Sequence, residues 1–270
     1  MLERPLRSER VVLWLHGYLD MAQSFAAVLR GVSAHGYRVL APDFRGHGES
    51  AWAGPGGYYH FADYLADLDA LVDALGLERF DLVAHSMGGS VATRYAAMRP
   101  ERVASLTLLE GIGPPAMPAD VAVDRTLGWL DQLRKLRQRK PRVMASRDDA
   151  YLRLRVSHPS VSEAVLREVA AFSTRPSEGG LVFRFDPLHQ TTAPGRHDAE
   201  AFEAFIDRVA CPTCLVDGGE VGYWPDFEAR SGRYKQATRV TLPGGGHMMH
   251  WTVPDALVAA VAGFLGRVGG

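Results

Sequence analysis

Ser86 sits in the run Phe80-Asp81-Leu82-Val83-Ala84-His85-Ser86-Met87-Gly88-Gly89-Ser90-Val91-Ala92, an apolar strand followed by a serine among small residues and a helix start. This is the layout of a nucleophile elbow, in which a strained strand-to-helix turn holds the serine hydroxyl at the carboxyl edge of a sheet. It departs from the G-x-S-x-G form only in Ala84 at the first glycine position. A serine at a helix start can equally be a plain N-cap, so other parts of the chain must decide between the two. A serine hydroxyl also needs a base to take its proton before it can attack a carbonyl carbon. His247, at the end of Val240-Thr241-Leu242-Pro243-Gly244-Gly245-Gly246-His247, is the candidate base, carried on a glycine loop after a last strand. The charge that attack puts on the carbonyl oxygen needs hydrogen-bond donors. The N–H of Tyr18, after the turn His16-Gly17, and that of Met87 are the candidates, each worth about 3 kcal/mol in a transition state.

The elements that must carry these residues follow from the apolar pattern. Strands are expected at 11–15, 37–41, 80–84, 103–109, 213–217 and 238–242, alternating with amphipathic segments, and such βα alternation calls for a parallel sheet with helices on both faces. Phe61, Tyr64, Leu65, Leu68, Leu71, Val72 and Leu75 recur every three or four residues and predict a helix with one buried face, stopped by Gly76. Ser90 to Met98 and Pro254 to Leu265 also read as helices. After Gly113 the rhythm is lost: Pro114, Pro115 and Pro118 break the chain, and Val123 to Arg139 and Val161 to Phe172 carry helical spacing with no strand between them.

In this order His16-Gly17, Asp43-Phe44-Arg45-Gly46-His47-Gly48-Glu49-Ser50, the serine elbow and Gly245-Gly246-His247 resemble the α/β-hydrolase superfamily over nearly the whole chain. More narrowly, His16-Gly17-Tyr18-Leu19-Asp20 with Ser24-Phe25, Asp186-Pro187-Leu188-His189 and His247-Met248-Met249-His250 look like its serine-hydrolase-like branch. The resemblance implies a mostly parallel sheet of about six to seven strands with flanking helices. It also implies a helical cap over the elbow: a core of 1–112 and 197–270 with a cap insertion of 113–196, and a substrate pocket between them. Family members begin with one or two antiparallel strands. Only ten residues precede the first clear strand here, so a shortened sheet edge is expected.

The acid of the triad is the irregular member. In most of the superfamily an aspartate follows the strand after the cap, but Pro212-Thr213-Cys214-Leu215-Val216-Asp217-Gly218-Gly219-Glu220-Val221-Gly222 puts Val221 or Gly222 at that place. Glu110 ends the strand after the elbow helix, where the chain resembles haloalkane dehalogenases at the position of their acid. A carboxylate at the end of an interior strand is costly to bury without a partner such as an imidazole N–H. Glu110 is therefore the favoured acid and Glu220 the alternative, with Asp217, Asp226 or no acid left open. His250 is expected to line the pocket, His85 to pack or hydrogen-bond at the base of the elbow, and Asp43, Arg45 and His47 to tie down the loop beside it.

The chain has 270 residues, is 47% hydrophobic and has a formal charge near −1, enough for one large core and without the basic footprint of a nucleic-acid binder. Met1-Leu2-Glu3-Arg4-Pro5 is not a signal-peptide pattern and no apolar stretch approaches 18 residues, so a cytoplasmic, non-membrane protein is expected. Cys211 and Cys214 enter a strand rather than a helix, which favours packing over redox or metal chemistry. Arg134, Lys135, Arg137, Arg139, Lys140 and Arg142 read as the solvated side of a cap helix, their alternative role being attraction of an anionic substrate. No motif calls for a metal or an organic cofactor, and none distinguishes monomer from homodimer. The function expected is hydrolysis of a small to medium ester, thioester or lactone through an acyl-enzyme. The alternatives are a C–C bond hydrolase on a diketone-like substrate, or a ligand-binding protein on the same scaffold.

Overall fold

The computed structural model describes residues 2–3, 10–138, 143–219 and 226–269, so Glu220, Arg139, Lys140 and Arg142 lie outside the described residues. The strands are β1 (Leu2–Glu3), β2 (Val11–Leu15), β3 (Arg38–Ala41), β4 (Phe80–His85), β5 (Val103–Leu109), β6 (Thr174–Ser177), β7 (Gly180–Phe183), β8 (Thr213–Asp217) and β9 (Ala237–Thr241). The helices are α1 (Ala26–Ala34), α2 (Phe61–Ala74), α3 (Met87–Met98), α4 (Val121–Gln138), α5 (Arg147–Ser157), α6 (Glu163–Phe172), α7 (Ala199–Ile206), α8 (Phe227–Ser231), α9 (Met249–Thr252) and α10 (Pro254–Val268).

One sheet runs in the order β1-β3-β2-β4-β5-β8-β9. Its strands pair in parallel, apart from β1, which lies antiparallel on β3 over Leu2↔Ala41 and Glu3↔Leu40. Side chains alternate across a strand, so each strand feeds two cores. In β2, Val11, Leu13 and Leu15 join Tyr64, Leu68 and Val72 of α2 and Val91, Tyr95 and Ala96 of α3 on one face. Val12 and Trp14 join Val28 and Val32 of α1 and Leu257, Val261 and Phe264 of α10 on the other. Each such fully buried aliphatic side chain contributes about 2 kcal/mol. Helix α2 stops where Gly76 takes φ +62, the left-handed turn that glycine enters without a Cβ penalty.

At the amino-terminal end of β4 the buried carboxylate of Asp81 accepts two hydrogen bonds from Arg10, at 2.6 and 2.9 Å, and one from Ser105 at 2.6 Å. Cys214 packs in the sheet core and neither cysteine is bridged; burial pushes both thiols up to about 11.

Between β5 and β8 the chain forms α4, α5, α6, the β6–β7 hairpin and α7. The sequence pattern predicts α4 and α6 but not α5 or the hairpin. Val161, Leu166 and Val169 gather on Trp251, and Met144, Ala150 and Ala170 form a second small core beside them. The exit from β5 is anchored by Arg230, 2% exposed, whose Nη1 donates to the carbonyls of Ile112, Gly113 and Pro114 at 3.3, 3.2 and 2.7 Å.

Candidate active site

β4 ends at His85, and Ser86 follows with φ 51° and ψ −117°. A non-glycine residue held there costs about 1–3 kcal/mol and persists only when its surroundings over-determine it. Here close backbone approach does so. A Cβ at Gly88 would lie 2.5 Å from the His16 carbonyl oxygen, and one at Gly89 would lie 2.3 Å from that of Gly111. Helix α3 therefore begins at Met87, three residues earlier than its apolar pattern indicates, with Ser86 as the half-helical residue before it.

Because β5 lies beside β4, its end reaches the same edge of the sheet. The Ser86 N–H donates to the Leu109 carbonyl and the Glu110 N–H to that of Val216, both at 3.0 Å. Glu110 takes φ +46, again left-handed, and its side chain is 8% exposed. The turn after β9 brings His247 over both residues: its Nε2 lies 3.1 Å from the Ser86 Oγ and its Nδ1 3.3 Å from the Glu110 Oε2. The other carboxylate oxygen accepts the Gly218 N–H at 2.9 Å. Burial alone would raise the Glu110 pKa, but the hydrogen bonds from His247 and Gly218 outweigh it and hold the carboxyl below its ordinary value. An ionised Glu110 favours the tautomer with the proton on Nδ1, in which Nε2 accepts from the Ser86 hydroxyl.

Asp217 and Asp226, the other candidate acids among the described residues, do not join this group. Asp217 accepts from the Gly219 N–H at 3.0 Å and the Thr241 hydroxyl at 2.9 Å, and Asp226 accepts from the Ala116 N–H at 3.1 Å and lies by Arg230. The N–H groups of Tyr18 and Met87 have no acceptor among the described residues. Tyr18 is held by its hydroxyl, which donates to the His189 carbonyl, while half of its surface stays exposed.

His85 donates from Nε2 to the His247 carbonyl at 2.8 Å, joining the elbow to the histidine loop. His250 does not line a pocket: it is 2% exposed, stacked on Phe25 with ring centroids 4.0 Å apart, and faces Asp20 and Ser24. Its spacing from His247 in sequence gave no sign of this, because α9 turns it inward. Behind the Tyr18 turn His47, His189 and Tyr59 stack at 4.1 and 3.9 Å, closing the 43–50 loop against the segment around Asp186. Asp43 fastens that loop by accepting the N–H groups of Ala22 and Glu49 at 2.7 and 3.0 Å, and Arg45 pairs with Asp67.

A cavity of about 520 Å³ beside this loop is lined by Phe44, Arg45, Trp52, Tyr59 and Asp67 and includes none of Ser86, Glu110 or His247. Of its charged groups, Arg45 pairs with Asp67, and Asp43 accepts the N–H groups of Ala22 and Glu49. Among the described residues no three His, Cys, Asp or Glu side chains are arranged to hold a metal ion, and no helix is long and apolar enough to cross a membrane.

Residues 10–181 match the alpha/beta hydrolase fold family, and the chain belongs to that family. Within it the chain resembles the serine-hydrolase-like branch. It is 35% identical to a serine hydrolase-like protein of Danio rerio over 181 residues, a match that covers 66% of this chain and 55% of the fish protein, little more than half its length. Among solved structures, a hypothetical protein of Pseudomonas aeruginosa PAO1 superposes with a TM-score of 0.86 at 29% identity, covering 98% of this chain and 94% of that one. A thioesterase domain from the curacin biosynthetic pathway superposes with a TM-score of 0.80 at 31% identity, covering 93% of this chain and 90% of that one.

Proposed function

We propose that the protein is a cofactor-independent serine hydrolase that cleaves a small to medium ester, thioester or lactone through an acyl-enzyme. The observation that carries this reading is the line from the Ser86 Oγ through the His247 ring, 3.1 Å on one side and 3.3 Å on the other, to a Glu110 carboxylate kept ionised by its donors. Ser86 Oγ attacks the acyl carbon while its proton passes to Nε2 of His247. The N–H groups of Tyr18 and Met87 receive the oxyanion. Collapse expels the alcohol or thiol, which takes the proton from Nε2, and water then repeats the sequence on the acyl-serine and releases the acid. Glu110 stays ionised throughout and stabilises the transient imidazolium. Likeness to a thioesterase domain supports acyl chemistry at this serine. In this reading residues 113–196 form the cap, 1–112 and 197–270 the core, and the substrate is a small molecule held between them.

The test is turnover of p-nitrophenyl esters from acetate to decanoate, together with labelling by a fluorophosphonate. Wild type should hydrolyse part of the panel and label, and Ser86→Ala should do neither. A folded wild type that neither hydrolyses nor labels refutes an activated serine. One that labels but cleaves no ester moves C–C bond hydrolysis to the front.

A further inference from the structure

Two of the groups assigned above are carried on loop segments whose backbone conformation is costly to hold. His247 follows three consecutive glycines, of which Gly244 and Gly246 have positive φ, and ordering a glycine costs more backbone entropy than ordering any other residue. Tyr18 precedes Leu19, a non-glycine residue at φ 56. A conformation of that kind needs an anchor.

One anchor common to both segments is a buried polar cluster that the proposed chemistry does not use. Asp20, next to Leu19, is 7% exposed, and its Oδ2 lies 3.4 Å from Nε2 of His250, three residues beyond His247. The same Nε2 lies 3.1 Å from the Ser24 Oγ, which accepts the Trp251 Nε1–H at 2.7 Å. Phe25 stacks on the face of the His250 ring at 18° between planes. Burial would raise the Asp20 pKa, but His250 chiefly, with His16 and His85, holds the carboxyl below its ordinary value; burial lowers His250. The pair is thus a carboxylate facing a buried imidazole edge across 3.4 Å, and Asp20 Oδ2 has no other hydrogen-bond partner among the described residues. Its members sit on the two segments that need fixing, and an isolated carboxylate would be expensive at this depth.

We infer that Asp20 and His250 are positioning residues, a buried clip that fixes the Tyr18 N–H and the His247 ring relative to each other. His85, donating to the His247 carbonyl, fixes the same loop to the elbow. The clip therefore acts on the oxyanion-binding turn and the base together, not on substrate affinity. Its effect on turnover rests on the reading of Ser86, His247 and Tyr18 given above; its effect on the two loops does not.

The experiment uses the whole chain as wild type, Asp20→Asn, Asp20→Ala and His250→Phe. Asparagine keeps a polar side chain of the same shape facing His250, and phenylalanine keeps the stack on Phe25 and the volume but removes the nitrogens. Amide hydrogen exchange over 17–20 and 244–248 reads the clip without turnover. His250→Phe and Asp20→Ala are expected to raise exchange there about tenfold, with helices α3 and α10 unchanged, and Asp20→Asn to recover most of the protection. On p-nitrophenyl esters the same two variants should lose about 10- to 100-fold in kcat with KM within threefold of wild type, again largely recovered in Asp20→Asn. Unchanged protection of both segments in a folded His250→Phe overturns the clip, whether or not the wild type hydrolyses esters. Raised exchange with kcat unchanged in an active enzyme overturns its role in positioning, as does a loss confined to KM. If wild type is inactive yet exchange rises as expected, the clip stands and the proposed function fails.

Discussion

Glu110→Gln puts the proposed triad to its sharpest test, because the hydrogen bonds around the side chain dictate how the amide must lie. One carboxylate oxygen accepts the Gly218 N–H at 2.9 Å, and the other faces Nδ1 of His247 at 3.3 Å. A glutamine has one acceptor oxygen. If that oxygen stays with the Gly218 N–H, the NH₂ faces Nδ1, which must then accept; the proton moves to Nε2, and the ring can no longer take a proton from Ser86. If the amide flips, the NH₂ faces the Gly218 N–H, and a buried donor is left unsatisfied at about 1–3 kcal/mol. In either orientation the imidazolium loses a charge-assisted hydrogen bond worth about 1.5–3 kcal/mol. With the side chain 8% exposed, water does little to compensate. The combined cost of about 3–6 kcal/mol is a fall of about 10²- to 10⁴-fold in kcat. KM should change little, since Glu110 lies behind the imidazole. The assay is steady-state hydrolysis of the best p-nitrophenyl ester, with the fluorophosphonate labelling rate as a second readout. Glu220→Gln and Asp217→Asn are the controls. A folded Glu110→Gln enzyme with more than a tenth of wild-type kcat, with Glu220→Gln strongly impaired, refutes the assignment.

Gly89→Ala should destabilise the protein by about 1–3 kcal/mol and disturb the elbow, because its Cβ would lie 2.3 Å from the Gly111 carbonyl oxygen; urea denaturation and the labelling rate read both effects. Asp81→Ala should cost about 3 kcal/mol in urea denaturation, the low end for breaking a buried pair because Arg10 keeps 26% of its side chain exposed. Stability should also fall steeply in mild acid. Burial lowers His47 to about 2, His189 to about 4 and His85 well below its ordinary value, so each binds fewer protons folded than unfolded. Their contribution is complete above about pH 6.5 and declines toward the folded values as pH drops, at up to about 1.4 kcal/mol per pH unit each for His47 and His189, with His85 acting in the same direction. Urea midpoints measured from pH 7.5 to 4.5 check this, and a midpoint unchanged between pH 6.5 and 5 refutes it.

The sheet was legible in the sequence because a strand buried on both faces is apolar over most of its length, and β2, β5 and β8 fall where their apolar runs do. Strand β9 begins at Ala237, one residue earlier than expected, and its exposed and partly exposed side chains explain why its apolar signal was faint. Helix α5 was invisible for the same reason: of its eleven residues Ala150 alone is buried, so no apolar stripe marks it, and its cap Ser146 is an ordinary serine in sequence. The β6–β7 hairpin buries little more. At the site, residues followed by small or strained turns stood out, while those fixed by tertiary contacts did not. Nothing local separates His250, which is buried on Asp20, from a histidine that lines a pocket. Asp20 carries no signal of its own for the same reason, since its partner lies 230 residues further along the chain.

The displaced acid has a structural logic in the strand order. β5 lies between β4 and β8, so the ends of β5 and β8 both open toward a histidine poised over Ser86. A carboxylate from either strand end could meet Nδ1. In this chain the end of β8 runs into Gly218 and Gly219, and the two strand ends play separate parts. In the proposed triad Glu110 supplies the charge, and the Gly218 N–H donates the hydrogen bond that aims its carboxylate. Gly218 can pass this close because it has no Cβ, which would lie 2.3 Å from the Gly246 carbonyl oxygen on the loop that carries His247. Moving the acid back to the β8 side therefore requires more than exchanging two side chains. A carboxylate grafted onto position 218 would collide with the His247 loop, so Glu110→Gln combined with Gly218→Asp should remain as inactive as Glu110→Gln alone. Recovery of turnover in that double variant would show that the loop yields, and that the glycine at 218 is not what commits this site to Glu110.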